Sequence, residues 1–364
     1  MTTNTKTIPV ILAGGIGERF WPMSRSTAPK QLHAIGSERS MLEETLLRVS
    51  EFCSPNVKPM LITGASIAQK VSTALKNPEN VEIISEPVGK NTAPAIALAA
   101  AVIQKREGDA VMVVVSADHA ISPAGAFAQA VAAAVELSQS RGGLIVFGIK
   151  PSRPETGYGY IETGASLSSF EGASAFEVKR FVEKPDAKNA QAFMEAGTFL
   201  WNSGMFVWKA STILEEFRLH MPDLYNQAMD AAKKDFSQKA IEEFYTVCQK
   251  ESIDFGIMEK AGKVSAVAGE FAWDDLGSWE SLSRIYGSSE NGTTTAGPLI
   301  FEQECRGSLI VNKSKLALTA VGLENIAVIA VEDAILVIDR AKLPDLKKYL
   351  SQIKGSGKFP EELF

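Results

Sequence analysis

Cysteine and histidine are scarce in this chain, and neither is arranged to hold a metal or a disulfide framework. Cys53, Cys248 and Cys305 are an odd number, lie far apart and form no CxxC pair, which leaves no zinc knuckle and no set of paired bridges. His33, His119 and His220 are equally scattered, so no HExxH-like motif exists. Long apolar runs are missing too. The richest, Ala93 to Ile103, is short and alanine-heavy, far below the length of a membrane span. Met1 to Thr7 is polar and lacks the apolar core of a signal peptide, so a cytoplasmic protein with no membrane partner is expected. There is no basic excess either: 37 Lys and Arg stand against 43 Asp and Glu, a net charge of -6. A general nucleic-acid binder needs a basic surface to displace counterions, so no nucleic-acid partner is expected.

What is present is ordinary globular chemistry on a long chain. At 364 residues, with 45% hydrophobic and 22% charged, the chain can build a large core plus an appendage. The first half alternates strand and helix. Ile8 to Leu12, Pro59 to Thr63, Val81 to Ser85, Ala110 to Val115 and Leu144 to Ile149 read as strands. Asn91-Thr92-Ala93-Pro94 and Ser122-Pro123 read as helix starts, and Gly142-Gly143 as a stop. Such alternation predicts an α/β fold with a mostly parallel sheet and helices on both faces. From Pro151 to Lys209 the pattern changes to short strands and glycine-rich turns, and Ala210 to about Glu259 reads as helical. Beyond Gly297, closely spaced apolar runs at Leu309 to Val311, Leu316 to Leu318, Ile326 to Val331 and Ile335 to Ile338 predict a small all-β unit, closed by a helix over Asp345 to Ile353.

Glycine concentrates where the first strand ends, in Leu12-Ala13-Gly14-Gly15-Ile16-Gly17-Glu18-Arg19-Phe20. Glycines let backbone N–H groups close on a phosphate, although a tight strand-to-helix turn uses the same residues. Phe20 stands where a dinucleotide fingerprint needs its third glycine, and no Gly-Lys-Ser/Thr follows, so neither a Rossmann nucleotide loop nor a P-loop is present. Arg19 within the loop and Lys30 in Pro29-Lys30-Gln31 supply cations suited to a polyphosphate. Ser116-Ala117-Asp118-His119 ends the most apolar strand, where α/β sheets gather ligands; a lone Asp-His there is more commonly a cap or a turn. Glu183-Lys184-Pro185, taken alone, is a solvated pair before a turn proline. Gly157-Tyr158-Gly159 and Asn202-Ser203-Gly204 in isolation look like turns.

Taken together these motifs resemble the nucleoside-diphosphate-sugar pyrophosphorylases. The resemblance rests on Leu12 to Ser24 with Pro29-Lys30-Gln31, on Glu86-Pro87 with Lys90-Asn91-Thr92-Ala93-Pro94, and on Glu155 to Ile161, Glu183-Lys184-Pro185, Trp201 to Phe206 and Trp273-x-Asp275-Leu276-Gly277. Pro-Lys-Gln resembles the mannose-1-phosphate guanylyltransferase branch. The sequence departs at Ile16 and Glu18, where many relatives carry serine and threonine.

The resemblance implies a Rossmann-like nucleotidyltransferase domain over residues 1–288 and a small β-helix-like domain over 289–364, ending at Phe364 without the isomerase domain of longer relatives. It implies GTP and mannose-1-phosphate as substrates, Mg2+ on Asp118 and Asp275, and a homodimer. Arg19 would hold the β- and γ-phosphates, Lys30 the charge near the α-phosphate and Lys184 the sugar phosphate. Leu12, Ala13, Gly14, Gly15 and Gly17 would line the nucleotide, with Glu86, Pro87, Asn91 and Thr92 beside the base. Gly157, Tyr158, Gly159, Glu183, Asn202, Ser203 and Gly204 would meet the sugar. Asp274 is expected to be polar scaffolding and His119 a structural residue. The same chemistry on another base or sugar, and a non-catalytic regulatory relative that binds GDP-mannose, are the alternatives.

Overall fold

The computed structural model describes residues 5–364, so the first part of the polar N-terminus, residues 1–4, lies outside the described residues. Two compact units emerge, and neither follows the order of the chain. The first takes in the chain up to Gly14, Thr45–Ala117 and Ile121–Trp273; the second takes in Gly15–Glu44, Asp118–Ala120 and Asp274–Phe364.

The first unit is built on one mixed sheet. Its strands are β1 (Thr7–Ala13), β2 (Met60–Gly64), β3 (Glu82–Glu86), β4 (Val111–Ser116), β5 (Leu144–Ile149), β6 (Tyr160–Phe170), β7 (Ala173–Val182), β8 (Phe199–Lys209) and β9 (Val264–Gly269). They lie in the order β3-β2-β1-β4-β8-β5-β9-β7-β6. All except β7 and β8 run in the same sense, so the sheet is mixed and mostly parallel, as the sequence predicts. Apart from Thr7 and Ser116 at their ends, the central β1 and β4 are apolar because both faces are covered, and Val111 to Val115 are at most 1% exposed.

Helix α1 (Thr92–Glu107) fills one face: Ala93 to Ile103 are all buried, which explains an apolar run too short for a membrane. Small alanines let α2 (Ala210–His220) and α3 (Pro222–Lys233) pack closely on it. Among the described residues no helix is long and apolar enough to cross a membrane.

The region between Pro151 and Lys209 departs from the reading of short strands. It holds two eleven-residue strands, β6 and β8, and the helix Ala187–Ala196. Asn202, Ser203 and Gly204 sit inside β8 rather than at a turn, with Gly204 at φ 67. Asn202 pairs with Gly148 of β5, and the register then shifts before Phe206, so Ser203 and Gly204 form an irregularity within the strand rather than its end.

In the second unit, strands at Thr294–Ala296, Leu309–Asn312 and Ile326–Ala330 pair in parallel, and Ile335–Asp339 closes that sheet antiparallel. A separate parallel pair joins Ile300–Gln303 to Leu318–Val321. The strand Thr294–Ala296 falls in a Gly- and Thr-rich stretch that carries no periodic signal. One hydrophobic cluster unites the four-stranded sheet with the loop after β1: Leu309, Val311, Ala327 and Ile329 share it with Phe20, Trp21, Met23, Leu276 and Trp279. The C-terminal helix Leu346–Gly355 adds Leu346 and Leu350.

A chain ending near Gly297 would therefore lose the partners of Phe20, Trp21 and Trp279 as well as its own strands. We expect it to be poorly soluble and aggregated, because apolar faces of that size drive association. Size-exclusion chromatography with light scattering reads the outcome; a well-behaved truncation in the same oligomeric state as the full chain would refute it.

Candidate active site

The glycine-rich loop and both candidate metal ligands meet in the second unit, around one ammonium. Lys30 is 4% exposed, and its Nζ lies 2.7 Å from Asp118 Oδ2. It also donates to the main-chain carbonyl oxygens of Leu276, at 2.8 Å, and Asp275, at 3.1 Å. Gly17 is glycine for a reason the motif alone does not give: at φ 78, a Cβ on it would lie 2.6 Å from Lys30 Cβ. The backbone N–H of Lys30 donates to the Ile16 carbonyl at 3.1 Å, closing the loop on itself.

Asp275 Oδ1 accepts the Gly277 N–H at 3.0 Å, which fixes its carboxylate. Asp274 is buried, accepts the Leu276 N–H at 2.8 Å and takes both ends of the Arg284 guanidinium, so it is scaffolding as expected. Arg19 and Gly15 are exposed on the loop, where a phosphate can reach them; Glu18 is paired with Lys347 at 2.8 Å. Among the described residues no three His, Cys, Asp or Glu gather as a metal cage. Two carboxylates with hard oxygens still suit magnesium, which takes one or two carboxylates and fills its shell with phosphate oxygens and water.

In the first unit one of the base-side candidates is a buried acid. Glu86, at the end of β3, is 5% exposed, and its Oε1 accepts the Tyr245 hydroxyl at 2.9 Å. Burial pushes the Glu86 carboxyl above its ordinary value, and the Tyr245 hydrogen bond opposes that shift. A Cβ on Gly14 would lie 3.2 Å from Glu86 Oε2, so the end of β1 rests against this acid. Leu12 and Ala13 are the last residues of β1, and the Ala13 carbonyl accepts the Thr63 hydroxyl at 3.0 Å. Pro87 is exposed. Asn91 and Thr92 have structural work: the Asn91 side chain accepts the Thr92 N–H at 2.9 Å to cap α1, and the Thr92 hydroxyl accepts the Ile253 N–H at 2.9 Å.

The sugar-side candidates form a second cluster in this unit. A Cβ on Gly159 would meet Glu183 Oε2, so the carboxylate in this position would have to shift to admit one. Glu183 Oε1 accepts from Lys184 Nζ at 2.6 Å, and Lys184 sits at φ 46 with its side chain exposed. The Gly157 N–H donates to Glu155 at 3.1 Å. Tyr158 is buried edge-on between Trp201 and Trp273. The Ser203 hydroxyl, buried, accepts the Met205 N–H at 3.2 Å and points into its own strand. Asn202 accepts the Gly204 N–H at 3.0 Å and donates through Nδ2 to Asp254 Oδ1 at 2.7 Å.

Asp254 is the site residue that the sequence reading passed over. It opens a single π-helical turn, Asp254–Met258, inside a stretch read as plain helix, and a lone Asp-Phe-Gly carried no motif. π-turns concentrate at functional sites, but nothing in composition marks one. Burial raises the Asp254 carboxyl up to about 6; the Asn202 N–H lowers it and the nearby Glu183 charge raises it further.

The folded-state value lies above the unfolded one, so the fold is disfavoured progressively as pH rises from the unfolded value through 6. Asp254→Asn stays neutral throughout. Its melting temperature, measured against the native chain, should gain more at about pH 8 than at about pH 5. Equal differences at the two pH values would mean that Asp254 titrates in its ordinary range.

Comparison with known proteins agrees with this geometry. Residues 8–291 match the nucleotidyl transferase family. The chain is 38% identical to a mannose-1-phosphate guanylyltransferase of Escherichia coli (strain K12), over 97% of this chain and 75% of that one. It is likewise 38% identical to the mannose-1-phosphate guanylyltransferase ManC of Salmonella typhimurium, over 97% and 74%. The fold superposes on the crystal structure of a mannose-1-phosphate geranyltransferase from Thermus thermophilus with a TM-score of 0.85, at 29% identity, covering 96% of this chain and 99% of that one. With a phosphate-type loop, one carboxylate and two carbonyls on one ammonium and relatives aligned along nearly its whole length, the chain belongs to the nucleotidyl transferase family, within its mannose-1-phosphate guanylyltransferase branch.

Proposed function

We propose that this chain transfers GMP from GTP to mannose-1-phosphate, yielding GDP-mannose and pyrophosphate. The observation that carries the reading is the convergence of Asp118, the Asp275–Leu276 turn and the glycine-rich loop on Lys30, which builds a cation-seeking pocket of oxygens under a phosphate-type loop. A phosphate oxygen of mannose-1-phosphate attacks the α-phosphorus of GTP; the α–β anhydride bond breaks and pyrophosphate leaves in line. The nucleophile is already an anion, so no side chain need take a proton, and the protein's contribution is positioning and charge neutralisation.

Arg19 and the loop amides at Gly14, Gly15 and Gly17 bind the β- and γ-phosphates. Lys30 supplies charge near the α-phosphate, and Lys184, exposed beside Glu183, takes the sugar phosphate. Asp118 and Asp275 would hold magnesium, which when bound neutralises the phosphate oxygens. Glu183 and Asn202 face the mannose hydroxyls, with Gly157, Tyr158, Gly159, Ser203 and Gly204 shaping that pocket. Glu86, Pro87, Asn91 and Thr92 stand by the guanine.

The two parallel ladders after Gly292 support reading residues 289–364 as a short β-helix-like domain. A division after residue 288 leaves every candidate contact in the preceding segment. A homodimer in the cytoplasm completes the proposal. The relatives' shared name favours mannose and guanine over another base or sugar, and the presence of Arg19, Lys30, Asp118, Lys184 and Asp275 together favours an enzyme over a regulatory binder.

Pyrophosphate release measured across four nucleoside triphosphates and several sugar-1-phosphates tests this. GTP with mannose-1-phosphate should exceed other pairs by at least about tenfold, since one mispaired buried polar group costs roughly 1–3 kcal/mol. Comparable turnover of UTP or dTTP with glucose-1-phosphate would sink it. Separately, Asp118→Asn and Asp275→Asn should each lower magnesium-dependent turnover by about a hundredfold or more while circular dichroism stays native. An Asp275→Asn protein with full activity at ordinary magnesium would remove Asp275 from the site.

A further inference from the structure

The second unit already holds a cation in the place where a divalent ion is wanted. An ammonium has three N–H donors, and Lys30 gives them to Asp118 Oδ2 at 2.7 Å, the Leu276 carbonyl at 2.8 Å and the Asp275 carbonyl at 3.1 Å. The face of Phe20 lies beneath, 5.5 Å from Nζ to the ring centroid, which favours a cation further. The stem is equally committed, because the Lys30 backbone donates to Ile16 and its Cβ fills the space left by Gly17. Asp118, by contrast, keeps a side chain about one-third exposed.

Resting on the reading of Asp118 and Asp275 as ligands of a divalent cation, we infer that Lys30 is the resident counter-ion of that site. It ties Asp118 to the Asp275–Leu276 turn in the nucleotide-free chain and keeps a divalent cation off Asp118 until a polyphosphate is present. The physical reason is repulsion. A divalent ion on the Asp118 carboxylate would sit within about 4 Å of the ammonium, which is itself only 4% exposed and so poorly screened by water. The ammonium cannot retreat without giving up three acceptors, and an unpaired buried charge is costly.

Phosphate oxygens remove the conflict. They are charged acceptors, stronger than the two carbonyls, so Lys30 can redirect its donors to them and release Asp118. Lys30 is in this respect a positioning residue that acts through Asp118. It sets the order of binding: cation with nucleotide, not before it.

The test is a manganese titration of the nucleotide-free full chain, following free Mn2+ by electron paramagnetic resonance. The native chain should bind Mn2+ only weakly, at about millimolar concentrations or above. Lys30→Met keeps the length of the stem without its charge and should bind at least roughly tenfold more tightly, a gain lost when Asp118→Asn is added. Lys30→Arg keeps the charge and should stay weak. Adding a non-hydrolysable GTP analogue should tighten Mn2+ binding to the native chain more than to Lys30→Met.

Tight Mn2+ binding by the native chain without nucleotide, abolished by Asp118→Asn, would overturn the inference and needs no Lys30 variant to fold. A folded Lys30→Met that binds no more tightly than the native chain would overturn it as well, as would tight binding by Lys30→Arg. Any of these alongside intact, Asp118-dependent turnover removes only the counter-ion role. Metal-dependent turnover that survives Asp118→Asn removes instead the functional reading on which it rests.

Discussion

A lysine ammonium taken out of water must find acceptors or lose its charge, and much of the candidate active site is arranged around meeting that demand. Lys30 finds one carboxylate and two carbonyls, drawn from two functional stretches of the chain. Asp118 follows β4, whose valines are buried, Asp275 and Leu276 lie in the Trp-Asp-Asp-Leu-Gly turn, and Lys30 belongs to the segment after the glycine-rich loop. Leu276 sits at φ 45, a conformation uncommon for leucine, and its carbonyl is one that Lys30 holds. Displacing any one of these pieces would strand a buried charge, so the ion cluster fixes positions that the hydrophobic core alone would leave loose.

The loop itself is less loose than its glycines suggest. Phe20 packs on Trp279 with ring centroids 5.0 Å apart, and the Trp279 indole donates to the Trp21 carbonyl at 2.9 Å. Both aromatics belong to the same apolar cluster as the C-terminal strands. A phosphate-binding loop gains from being held before its ligand arrives, because less ordering is left to be done on binding. The C-terminal segment therefore bears on chemistry without supplying a reacting group: it forms the floor that the loop stands on.

Much of this was legible in the chain. Continuous apolar runs such as Val111 to Val115 announced a doubly covered strand, and Asn91 with Pro94 announced a helix start. The candidate residues came from the resemblance that the short motifs carry together; taken singly, several of those motifs read as caps, turns or solvated pairs. What stayed hidden was non-local. Gly17 and Gly159 read as freedom for the backbone, whereas the structure gives each a steric reason, room for Lys30 in one case and for Glu183 in the other. Asn202 to Gly204 read as a turn because their preference for turns is real; the structure keeps it as an irregularity inside a strand whose ladders resume at Phe206. Asp254 carried no signal at all: its partner Asn202 is 52 positions away, and a single aspartate in a helical stretch is ordinary.

That long-range pair bears on how such a site discriminates. Asn202 has its carbonyl oxygen occupied by the Gly204 N–H and one amide hydrogen by Asp254, so its orientation is set before any sugar arrives. Glu183 is likewise held, pressed against Gly159 and paired with Lys184. A group that is free to rotate adapts to any hydroxyl and selects weakly. One fixed by its own partners offers a donor in a single direction, and a sugar whose hydroxyl points elsewhere leaves it unpaired. Glu86 follows the same logic on the base side, with one oxygen committed to Tyr245 and burial raising the cost of any ionised oxygen left without a donor. On the proposed reading, selectivity in both clusters of the first unit would come from polar groups whose alternatives have already been removed by the fold.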